Sequence, residues 1–169
     1  ARSPSEDIRS TAIIGLGRTH SPIAVKPVLA ALKDENSLVQ DSARDALGQL
    51  GPLSVPAIPE ILAAEYAENW IPLDKMGETA VPPLKELLLK GRSPIRDRAG
   101  IALARAGERG LPALREALGH SDPAVRRAAV SALHVVDSDK KFVADGLAKA
   151  WKDSDPSVRE AALASMGAA

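Results

Sequence analysis

Three histidines, His20, His120 and His134, are the side chains best suited to proton transfer or metal binding near neutral pH, and their spacing limits what they can do. No two stand at the short helical spacing of paired metal ligands, so a metal site would need distant carboxylates to converge. The chain of 169 residues has no cysteine, which removes thiolate ligands, thiol nucleophiles and disulfides. Ser21 and Ser121 directly follow His20 and His120, but immediate neighbours on a turn do not line up as nucleophile, base and orienting group. Gly15-Leu16-Gly17 lacks the preceding strand and the further glycines of a phosphate loop. These residues predict no catalytic set, no metal and no cofactor.

Arginine offers a different chemistry. Arg9, Arg96, Arg126 and Arg159 each follow an aliphatic residue, and a guanidinium carries five donors in a fixed fork that fits a carboxylate or helix-end carbonyls. They are expected to form a structural ladder between neighbouring elements, the alternative being a line for an anionic ligand. Gln40 and Tyr66 interrupt the series.

The aromatics are only Tyr66, Trp70, Phe142 and Trp151. Tyr66 and Trp70 stand four apart, one above the other on a helix, beside Pro72. Aromatics are favoured anchors at interfaces, so this pair is a candidate partner-binding site, set against the alternative that large rings fill a gap. Phe142 and Trp151 flank one apolar segment and are expected in the core.

The elements that must position these residues repeat. NSLVQDSARDALGQLG around Val39, DPAVRRAAVSALHVVD around Val125 and DPSVREAALASMGAA around Val158 superpose without gaps. Setting Ile8, Val39, Ile95, Val125 and Val158 equivalent also aligns Ala12, Ala43, Ala99, Ala129 and Ala162, then Leu16, Leu47, Leu103, Leu133 and Met166. Offsets of four and eight put all three on one helical face. A degenerate copy at Glu65 supplies Leu73 and Met76. Each such A helix is followed by a second apolar-periodic segment, B: IAVKPVLAALKD, SVPAIPEILAA, TAVPPLKELLLKG, RGLPALREALGH and KFVADGLAKAWKD. A hairpin of this size cannot bury its apolar stripe alone, so successive hairpins must stack. Asp122 and Asp155 before prolines predict N-caps, Gly51, Gly77 and Gly107 predict left-handed A-helix ends, and Pro27, Pro56, Pro82 and Pro112 fall early in B segments. Approximate repeats are 4–34, 35–62, 63–90, 91–120, 121–153 and an incomplete 154–169.

Val39 with Ala43, Ala46, Leu47 and Gly51, then Val125-Arg126 with Ala129, Ala132 and Leu133, and Val158-Arg159 with Ala162, resemble HEAT-like repeats of the short, phycobilisome-lyase type. The resemblance spans nearly the whole chain. It implies an all-α, right-handed alpha-alpha superhelix, a HEAT-like solenoid of about 11 helices in one domain, 1–169, with B helices lining a concave face. Members of that type are mostly interaction scaffolds, and a few act on bilin chromophores as lyases or their chaperones. A related iron-dependent hydroxylase is built on His-Glu pairs, and this sequence has none.

The leading expectation is therefore a noncatalytic scaffold that binds a protein partner on the B-helix face, through Lys26, Lys85 and Arg115, or near Tyr66 and Trp70. An acidic segment suits those basic positions. The alternative is an accessory or catalytic component of a bilin-chromophore lyase. Lys and Arg total 22 against 22 Asp and Glu, so binding driven by nucleic-acid phosphates is not expected. The short apolar runs predict no membrane insertion, and the compartment stays open, leaning to the cytoplasm. The last copy, an A helix with no B helix after it, is expected to be a cut from a longer array or an end that meets a partner.

Overall fold

Thirty alanines and twenty leucines, with prolines held to the first turns of their segments, favour helices that approach closely. The computed structural model describes residues 5–63 and 71–167, and among these there are helices and no strand. The α-helices are α1 (Glu6–Arg18), α2 (Val25–Ala31), α3 (Ser37–Leu50), α4 (Ile58–Ala63), α5 (Ile71–Met76), α6 (Val81–Lys90), α7 (Ile95–Arg105), α8 (Leu111–Leu118), α9 (Pro123–Ala132), α10 (Lys140–Ala150) and α11 (Pro156–Gly167). The odd-numbered helices are A and the even-numbered ones are B.

The expected count of about eleven separate helices needs correcting: the described residues form nine uninterrupted stretches that contain α-helix, beside the short 3₁₀ turn Gly107–Arg109. Gly51–Ala57 and Gly77–Ala80 continue as 3₁₀ helix instead of opening into loops, fusing α3 to α4 and α5 to α6. Gly51, Gly77 and Gly107 turn the chain with φ of 54°, 59° and 61°, a left-handed conformation that lacks a steric cost only for glycine. His20 stands at the equivalent place after α1 and also has a positive φ, 48°.

Two compact units divide the chain, Ala1–Ala80 and Val81–Ala169. In the first, α3 packs against α1 on one side and α5 on the other, with α2 and the Gly51–Ala57 segment against it. The α1–α3 approach needs Gly17, since a Cβ there would lie 2.7 Å from the Ala46 Cα. Ser10 and Ser42 share a buried hydrogen bond of 2.8 Å across the same contact. In the second unit α9 packs between α7 and α11, with α8 and α10 against it. The anchors Val39, Val125 and Val158, the alanines Ala43, Ala99, Ala129 and Ala162, and the leucines Leu47, Leu103 and Leu133 are all buried. Each large aliphatic removed from water contributes about 1.5–3 kcal/mol.

The outer helices depart from this pattern. Ile8 is 58% exposed and Met166 44%, although both occupy register positions that are buried in α3 and α9. Among the described residues, α1 and α11 each have an A-helix neighbour on one side only. Trp151 also departs from the core position expected of it and is 48% exposed. Its register equivalent Leu32 is buried, because α2 is covered by the next repeat's Gly51–Ala57 segment, whereas no described segment covers α10 in that way. Phe142 is buried.

Candidate functional site

The four ladder arginines begin in the first turn of their A helices, which aims the guanidinium back toward the preceding loop. Arg126 uses most of its fork. Nε and one terminal nitrogen donate to the two carboxylate oxygens of Asp153 at 2.8 and 2.7 Å, and the other terminal nitrogen donates to the carbonyls of His120 and Ser121, both at 2.9 Å. Arg9 holds Asp34 with the same bidentate geometry, 2.9 Å on each arm. Arg159 donates to the carbonyls of Asp153 and Ser154 at 2.8 and 3.0 Å. Arg96 stands 3.6 Å from an Asp122 carboxylate oxygen. Gln40, which interrupts the series in sequence, still donates to the Asp34 carbonyl at 2.7 Å.

Asp34 and Asp153 are thus equivalent hubs: the carboxylate is held by the A helix of its own repeat and the carbonyl by the A helix of the next. Both follow a lysine directly after a B helix, as Lys33-Asp34 and Lys152-Asp153, a doublet that the sequence shows and the repeat register passes over. The Arg126 hydrogen bond, aided by the Asp155 amide and opposed by burial, pulls the Asp153 carboxyl down to about 2. Asp155 is lowered too, chiefly by the Ser157 hydroxyl and amide. Its side chain accepts the Ser157 amide at 2.9 Å and the Asp122 side chain accepts the Ala124 amide at 2.8 Å, so both act as N-caps. Asp139, at the start of α10, caps in the same way through the Phe142 amide.

The B helices of the second unit carry the exposed polar residues. Lys85 on α6 pairs with Glu116 on α8 at 2.6 Å, both partly exposed. Arg115, one residue earlier on α8, places its guanidinium carbon over the Phe142 ring of α10, 4.8 Å from its centroid. That cation–π contact holds the guanidinium against the ring, while the Arg115 side chain stays exposed. Among the described residues Arg115 makes no carboxylate pair, and its cationic neighbour Lys141 is paired with Asp145 on the same helix. Lys26 lies exposed on α2, in the first unit. Tyr66 and Trp70 lie outside the described residues.

Two of the three histidines are engaged locally. His120 accepts the Asp122 amide through Nδ1 at 3.0 Å, and His134 Nδ1 lies 2.6 Å from the Ser131 carbonyl oxygen. His134 also borders a shallow cavity of about 470 Å³ beside the turns after α7 and α9, shared with Arg105, Asp137 and Ser138. No group of three or more metal-ligating side chains occurs among the described residues. No described helix is long and apolar enough to cross a membrane.

Stacked A/B hairpins, with side-chain hubs at Asp34 and Asp153, define an α-helical repeat protein. The sequence matches the family described as HEAT repeats over residues 1–71 and 81–167, and the chain belongs to that family. No curated protein sequence matches it. Among solved structures, it resembles a designed armadillo repeat protein, 17% identical over 99% of this chain and 95% of that one, with a TM-score of 0.41. An engineered protein is 18% identical over 98% and 93%, TM-score 0.39. Human deoxyhypusine hydroxylase in complex with glycerol is 18% identical over 98% and 80%, TM-score 0.35.

Proposed function

We propose that this chain is a noncatalytic scaffold that binds an acidic segment of a protein partner on the α6–α8–α10 face. Its fold is a repeat scaffold typical of protein–protein interaction. The observation that carries the reading is Arg115: a guanidinium pre-oriented on Phe142, with no carboxylate partner among the described residues, next to Lys141 and one helix away from Lys85. An incoming carboxylate gains a charge-assisted bond there at little ordering cost, and Lys85 can exchange Glu116 for a second. Lys26 and the Tyr66/Trp70 pair are proposed as further contacts.

Selection from a displayed random-peptide library tests this directly. The chain is expected to enrich Asp- and Glu-rich peptides, and the Lys85→Glu, Arg115→Glu double variant to lose them while keeping its helical circular dichroism. Replacing Tyr66 and Trp70 with alanine should weaken the same binding and leave helicity intact. Enrichment without acidic bias defeats the acidic-segment reading. Bilin uptake or a covalent bilin adduct, measured by absorbance after incubation with candidate acceptor proteins, would instead favour a chromophore-lyase component.

A further inference from the structure

The loops that join one hairpin to the next can be compared residue by residue. Asp34, His120 and Asp153 each stand five residues before the anchors Val39, Val125 and Val158, in the hub position after a B helix. The histidine keeps two of the three hub contacts. Its Nδ1 accepts the Asp122 amide at 3.0 Å, as the Asp34 carboxylate accepts the Asn36 amide at 3.0 Å and the Asp153 carboxylate accepts the Asp155 amide at 2.9 Å. Its carbonyl accepts a terminal nitrogen of Arg126 at 2.9 Å, as the carbonyls of Asp34 and Asp153 accept Gln40 and Arg159.

The third contact is missing. Arg9 and Arg126 hold their hub carboxylates bidentately, and Arg96 is the ladder arginine at the equivalent place here. Its Nε is buried and has no hydrogen-bond partner among the described residues, and a terminal nitrogen stands 3.6 Å from Asp122. An imidazole thus serves where the other two junctions have a carboxylate, and its Nδ1 accepts a hydrogen bond only while it carries no proton. The other charges that reach this junction are already matched. Arg126 of α9 is answered by Asp153, and Arg127 of α9 pairs with Asp97 of α7 at 2.9 Å. Asp122 caps the Ala124 amide with one oxygen and faces Arg96 with the other, while on α8 itself Glu116 is taken by Lys85.

We infer that the α8–α9 junction is a pH-sensitive joint within the second unit, closed while His120 is neutral and loosened when His120 is protonated. A proton on Nδ1 turns the acceptor into a donor facing the Asp122 amide, and it adds a third cation to the loop that Arg96 and Arg126 reach. The folded chain takes up that proton only by giving up the amide, whereas the unfolded chain takes it up freely. Stability therefore falls as pH falls through the imidazole range, between about pH 8 and 5. The Asp34 and Asp153 junctions are built on carboxylates and hold across that range. This joint stands whether or not the α6–α8–α10 face binds acidic segments.

Urea denaturation of the intact chain, native and His120→Asp, from about pH 8 to about pH 5 tests the joint. His20 and His134 are common to both proteins, so a difference in pH dependence belongs to position 120. The aspartate variant supplies the carboxylate that Arg96 lacks and is expected to have the higher midpoint throughout. On acidification the native midpoint is expected to fall behind it by a further amount of about 0.5 M, the scale of one hydrogen bond at the urea dependence of a small protein. His120→Asn keeps the test decisive if the aspartate variant fails to fold: its side-chain oxygen accepts the amide without titrating, as that of Asn36 does for Leu38 at 2.9 Å, and it too is expected to lack the acid loss. In amide NMR spectra of the native chain the Asp122 signal is expected to move together with the titration of the His120 ring. Three results overturn the inference: the same pH dependence in native and variant chains, a native midpoint that gains on the variants as pH falls, or an Asp122 amide signal that stays fixed while His120 titrates.

Discussion

Asp153 does at one residue what holds a repeat junction together. Its carboxylate is gripped by Arg126 and its carbonyl by Arg159, and the Arg126 hydrogen bond lowers its pKa from an ordinary 3.8 to about 2. A carboxyl depressed on folding binds more protons in the unfolded chain. Its stabilising contribution is therefore complete above about pH 4 and drains away as pH falls through about 2. The stability difference between the native chain and Asp153→Asn should be largest near neutrality and shrink between pH 4 and 2, as thermal melts across that range will show. A constant difference would mean that the pair is electrostatically silent. His20 gives a second test at this scale, because it occupies a left-handed position that glycine fills at Gly51, Gly77 and Gly107. A side chain in that conformation costs ~1–2 kcal/mol, and glycine returns ~0.5–1 kcal/mol of that through its freer unfolded state. His20→Gly should accordingly stabilise the chain by about 0.5–1 kcal/mol in urea denaturation.

At the scale of the helix, much was legible before any coordinates. The offsets of four and eight identified the buried face of α3, α7, α9 and α11 correctly at Val39, Ala43, Leu47, Ala99, Leu103, Val125, Ala129, Leu133, Val158 and Ala162. Local chemistry likewise foretold the caps at Asp122 and Asp155. What escaped depends on neighbours instead of periodicity. Ile8, Trp151 and Met166 have the right residue type in the right register, yet the helix that would cover each has no counterpart among the described residues. The aspartates that complete the arginine ladder escaped for another reason: Asp34 and Asp153 lie one whole repeat along the chain from Arg9 and Arg126, a distance that only hairpin stacking closes. The contrast between Leu133 and Met166 is measurable. Leu133→Ala should destabilise by about 2–5 kcal/mol by opening a cavity, whereas Met166→Ala, at the same register position, should cost well under half of that. Equal losses in urea denaturation would show that Met166 is buried in solution.

For the molecule as a whole, 22 basic and 22 acidic residues leave a formal charge of zero, so no net charge steers a partner. The proposed recognition therefore rests on local charge and pre-organisation on helix faces presented at repeat intervals. The α6–α8–α10 face has such an arrangement in Lys85, Arg115 and the ring of Phe142. The most direct measurement is isothermal titration of one acidic peptide, chosen from the displayed library, into the native chain and into the Lys85→Glu, Arg115→Glu variant. The account predicts saturable one-to-one binding by the native chain and a loss of at least about tenfold in the variant, the scale of one charge-assisted pair. Equal affinities for the two proteins, with both folded, would contradict it.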